Sequence, residues 1–90
     1  MKVFKHASAI WNGTVPAGTG SMKLGRAGEV LPFSLKSRVE DVPMTNPEEL
    51  IGAAHAGCFS MALSSLIEEE GKVPGTVETS AKVTLEQRDE

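Results

Sequence analysis

The 90 residues predict an α+β fold: antiparallel β-strands, one long central helix carrying Cys58, and a further strand. Two alternating apolar/polar stretches, near residues 31–38 and 77–86, carry the strand part of that reading. A capped run of helix formers between them, from Asn46 to Gly71, carries the helix.

In chain order, residues 2–11 mix β-branched, aromatic and polar types and then meet Asn12-Gly13, a strong turn signal. Pro16-Ala17-Gly18 extends the punctuation, so the first connection is longer than a two-residue hairpin. A second strand is expected at about 19–24, ending in the turn Gly25 to Gly28. In the third, Leu31, Phe33 and Leu35 alternate with Ser34, Lys36 and Arg38, leaving Arg38 on the polar face. Pro32 cannot donate to a ladder, which suits an edge or a strand start.

Asn46 is a favoured N-cap, Pro47 fits the first helical position, and Glu49 stands where a capping-box acid belongs. Helix formers continue to Glu70, and Gly71 stops the run. Gly52 and Gly57 inside this helix each cost about 1 kcal/mol against alanine, which points to a very close neighbour. Beyond Pro74-Gly75, Val77, Thr79, Ala81, Val83 and Leu85 alternate with polar residues as a half-buried strand. The apolar set Leu50, Ile51, Ala54, Phe59, Met61, Ala62, Leu66 and Ile67 covers more of the helix than one sheet can bury.

Size and composition narrow the function. Residues 1–90 make one small domain, of a length that buries only about 60–65% of its extended surface. A net charge of −3 disfavours nucleic acid, which selects a basic stripe. No apolar run approaches the roughly 20 residues of a membrane span, and the N-terminus lacks a signal-peptide core. One cysteine has no intrachain mate, which favours a reducing compartment, and a cytoplasmic protein is expected. The run Glu68-Glu69-Glu70 reads as a solvated helix end.

The chemistry centres on Cys58. Free cysteine is often plain packing, yet a thiolate held by nearby positive charge is a nucleophile. Cys58 lies about eleven residues past the helix start, where the dipole no longer helps. Arg38 is the candidate cation, and Glu48 or Glu49 the carboxylate that holds it. Glu48 and Cys58 are ten residues apart, about 15 Å along a straight helix. Either the helix bends or Glu48 serves a site in a partner subunit, a physical reason to expect a dimer. His55, three residues before Cys58, lacks an orienting third group and an oxyanion hole, so it reads as a core or interface histidine. One cysteine and two distant histidines give no metal spacing, and the glycine clusters match no phosphate loop, so no cofactor is expected.

The block Thr45-Asn46-Pro47-Glu48-Glu49-Leu50-Ile51-Gly52-Ala53-Ala54-His55-Ala56-Gly57-Cys58-Phe59-Ser60-Met61-Ala62-Leu63-Ser64 resembles the signature of the OsmC/Ohr family, in its OsmC branch. Agreement is looser earlier, through Ala9-Ile10-Trp11-Asn12-Gly13, the glycine-rich turn and a strand ending in Arg38. The resemblance implies a thiol peroxidase acting on organic hydroperoxides and hydrogen peroxide in oxidative and osmotic stress. Cys58 would be its peroxidatic cysteine, Arg38 the activating arginine, and Glu48 the acid holding that arginine. It also implies an intertwined homodimer recycled by an external dithiol of the dihydrolipoyl type. The family's resolving cysteine has no counterpart among these residues. A non-catalytic dimerisation or binding module on the same scaffold is therefore the alternative, and a Cys58–His55 acyl hydrolase a distant third.

Overall fold

Gly13 leaves the first strand at φ +99°, in a backbone region glycine enters at little cost, and the chain doubles back. This is seen in a computed structural model that describes residues 1–26 and 28–87. Strands β1 (Ala7–Asn12), β2 (Thr19–Leu24) and β3 (Val30–Phe33) form one antiparallel sheet in the order β1-β2-β3. The connection between β1 and β2 is longer than a two-residue hairpin, as expected, and the Gly18 N–H donates to the Thr14 carbonyl at 2.7 Å. Pro32 stands on β3, which among the described residues is an edge strand paired with β2 alone. Trp11 pairs with Gly20 and Gly20 with Phe33, so these three form one row across the sheet.

Where alternation predicts a strand as far as Arg38, β3 stops at Phe33 and Leu35–Val39 forms a short helix, α1. Ser34 is its N-cap. The Ser37 N–H donates to the Ser34 hydroxyl at 3.2 Å, and the Ser34 N–H donates to the Ser37 hydroxyl at 2.9 Å. This reciprocal box satisfies two backbone donors that a frayed strand end would leave to water. Ser37, 3% exposed, is held inside it. Local hydrogen bonding therefore outweighs the alternation, and Arg38 stands on a helix.

Helix α2 (Pro47–Glu69) begins where expected, with Asn46 buried just ahead of it. Its end is a Schellman motif. The Gly71 N–H donates to the Glu68 carbonyl at 2.9 Å, and the Lys72 N–H to the Ile67 carbonyl at 3.2 Å. Gly71 takes φ +78° there.

A further difference concerns the last strand. Residues 72–87 join no sheet among the described residues. Their alternation serves α2 instead: the Thr79 and Ser60 hydroxyls are 2.6 Å apart, and Val83 and Ala81 lie beside Gly52. Gly52 to Ser60 is about 12 Å of helix, and Thr79 to Val83 about 13 Å of extended chain. From Thr79 to Val83 the segment thus runs antiparallel along the helix, with Thr79, Ala81 and Val83 on the helix side. A ladder needs a neighbouring strand edge, and among the described residues from Pro47 onward α2 is the only regular element.

The chain divides into two compact units, Met1–Pro47 and Glu48–Glu90. No apolar side chain is buried among the described residues. On α2, Ile51, Phe59, Met61 and Leu66 are all exposed, Met61 to 78%. The expected excess of apolar helix surface is thus present and uncovered. One exclusion needs correcting: α2 is long and apolar enough to cross a membrane by length and composition. Its interruptions are Gly, Ser and His, which break a strict apolar run without making the helix polar.

Candidate active site

Cys58 lies in the middle of α2 as a free, exposed thiol. The helix holds its backbone rigid, and His55 stands one turn earlier, also exposed. Glu48 and Glu49 occupy the first turn, where the helix dipole favours negative charge. Glu48 is half-buried and lines a cavity of about 270 Å³ with Gly52, Ala56, Thr79, Ala81 and Val83. Since α2 runs unbroken from Pro47 to Glu69, Glu48 and Cys58 stay about 15 Å apart along it. The helix does not bring these two predicted residues together.

Arg38 belongs to the first unit and sits in the last turn of α1, where a cation suits the dipole. It lines a cavity of about 210 Å³ whose other walls are Trp11, Val15, Phe33, Ser34 and Leu35. An aromatic and aliphatic wall with one guanidinium suits a molecule with an apolar body and an electron-rich end.

These companions of Arg38 were not legible as a site. Phe33 and Leu35 read as a core face, and Trp11 reaches them only through the pairing across Gly20. The Trp11 and Phe33 ring centroids are 5.4 Å apart, and the Trp11 indole N–H donates to the Gly13 carbonyl at 3.0 Å. One available signal was Ser34-x-x-Ser37, the capping pattern that turns the chain into α1 and sets Arg38 beside the aromatic pair.

No protein-family model matches the chain. Among curated proteins it is similar to peroxiredoxin OsmC of Escherichia coli (strain K12) and peroxiredoxin OsmC of Shigella flexneri. Each is 42% identical over 91 residues, which is 99% of this chain and 63% of the relative. The chain thus spans less than two thirds of the relatives it matches. Three antiparallel strands followed by a long helix agree with that similarity. Along its length the chain is OsmC-like, similar to a portion of these peroxiredoxins.

Proposed function

We propose that this chain carries the peroxide-reacting part of a cytoplasmic thiol peroxidase that reduces organic hydroperoxides and hydrogen peroxide in stress defence. The observation that carries the reading is an exposed, free Cys58 on a rigid helix, in a chain 42% identical to OsmC peroxiredoxins. In the first step the Cys58 thiolate attacks the terminal oxygen of the O–O bond. A sulfenic acid forms on sulfur, and the alkoxide leaves and takes a proton to become an alcohol. Hydrogen peroxide gives water by the same route. Arg38 stabilises the thiolate and the negative charge building on the departing oxygen, and Glu48 orients the guanidinium. An apolar substituent on the peroxide suits the aromatic wall beside Arg38. The 90 residues hold one cysteine; in this reading an external dithiol reduces the sulfenic acid, and the working form is a homodimer.

Intact mass of the reduced protein after brief exposure to cumene hydroperoxide or hydrogen peroxide tests this, with Cys58→Ser as control. Rapid, Cys58-dependent gain of oxygen, faster with the organic peroxide, is the expected result. A thiol no faster than free cysteine overturns it. The second reading, a non-catalytic dimerisation or binding module, then leads, and the uncovered apolar surface of α2 favours it.

A further inference from the structure

Charge is segregated along this chain. Residues 1–26 contain Lys2, Lys5, Lys23 and Arg26 and no Asp or Glu, a net +4, while the whole chain is −3, leaving −7 for residues 27–90. Part of that positive charge gathers at one place. Where the β1–β2 ladder ends, at the pair Ala7–Leu24, the incoming segment and the chain leaving β2 form an open groove of about 740 Å³. Lys5, His6 and Arg26 line it together with Phe4 and Leu24.

The groove is held by a close backbone approach. A Cβ at Gly25 would overlap the His6 carbonyl oxygen, so only glycine lets the incoming segment lie this near β2. His6 thus lies beside Gly25, and Lys5 and Arg26, the next residues outward on either side, both line the groove. Among the described residues no carboxylate joins Lys5 or Arg26 in the groove. Two cations and two large apolar side chains thus line one groove with no acidic side chain among them.

We propose that this groove binds an amphipathic anion, its carboxylate or phosphate headgroup between Lys5 and Arg26 and its apolar body on Phe4 and Leu24. The headgroup accepts charge-assisted hydrogen bonds from both side chains, and the apolar body removes Phe4, 72% exposed, from water. The groove shares no lining residue with the cavity at Arg38 and does not include Cys58, so the proposal stands whether or not the chain reduces peroxides.

Calorimetric titration of the full chain at low ionic strength with octanoate, octanol and inorganic phosphate tests it. Octanoate is expected to bind with a 1:1 stoichiometry, and the two half-ligands at least about tenfold more weakly. Lys5→Gln and Arg26→Gln should each weaken octanoate binding about tenfold, Phe4→Ala should weaken it further, and Lys82→Gln should leave it unchanged. All four positions are exposed, and far-UV circular dichroism checks that each variant keeps its fold. Equal binding of octanol removes the role of charge, and equal binding of phosphate removes the role of the apolar floor. Association with phosphatidylglycerol vesicles without binding of monomeric octanoate also overturns the proposal, in favour of a membrane surface.

Discussion

Trp11 and Phe33 stand on the two outer strands of the sheet, yet their rings meet at a centroid distance of 5.4 Å, tilted by 43°. Gly20 on the central strand lies between them in register and leaves the space they fill. A Cβ at Gly20 would come within 2.6 Å of the Trp11 ring and 2.7 Å of the Phe33 ring. The aromatic wall beside Arg38 therefore depends on a residue that has no side chain.

Gly20→Ala should force the two rings apart and lower stability by about 1–3 kcal/mol, the usual range for overpacking. Urea denaturation followed by the fluorescence of Trp11, the one tryptophan, measures both effects. An unchanged midpoint and an unchanged spectrum would mean that the rings do not share this space in solution.

The two helix glycines should part company. Nothing lies within 4 Å of a Cβ built on Gly57, whereas one on Gly52 meets Val83 Cγ2 at 3.2 Å. Gly57→Ala should raise stability by about 0.5–1 kcal/mol through backbone entropy. Gly52→Ala should gain less or lose, because Val83 must move. The comparison needs only thermal melts of the two variants, and destabilisation by Gly57→Ala would place an unseen neighbour on that face.

Ser34→Ala removes the cap of α1 and should cost about 1 kcal/mol. The same change should slow oxidation of Cys58 by cumene hydroperoxide, because Arg38 is positioned by that helix. Ser34→Asp, which retains an N-cap acceptor, should restore most of the rate. Loss of stability with no change in rate would separate α1 from the chemistry.

Arg38→Ala should slow peroxide reduction about a hundredfold, the scale on which one donor to a developing oxyanion acts. Glu48→Gln should have a smaller effect by the same route. Rates of Cys58 oxidation read by mass spectrometry under excess peroxide decide this. An Arg38→Ala rate equal to the parent removes Arg38 from the mechanism, and equal losses from both changes would show that they act as one unit.

Much of the fold was legible locally. Asn12-Gly13, Asn46-Pro47 and Gly71 are punctuation whose meaning lies in the residue's own backbone preferences, and each falls at an element boundary. Cys58 was equally readable as the central residue of a long helix. The path of the chain after Phe33 was misread because period-2 alternation and a Ser-x-x-Ser capping box compete over the same five residues. The alternation of residues 77–85 was read as a half-buried strand, whereas the segment pairs with no strand among the described residues and sets Thr79, Ala81 and Val83 beside α2.

By itself, then, the sequence determined the order of the three strands and the long helix, the limits of that helix and the position of the thiol, because these rest on interactions within a few residues. Only the tertiary structure decided that Trp11 and Phe33 meet over Gly20, that Arg38 shares their cavity, and that Ala81 and Val83 pack on Gly52. Those contacts depend on strand register and on which surface a segment reaches, and both emerge only when distant parts of the chain compete for the same neighbour.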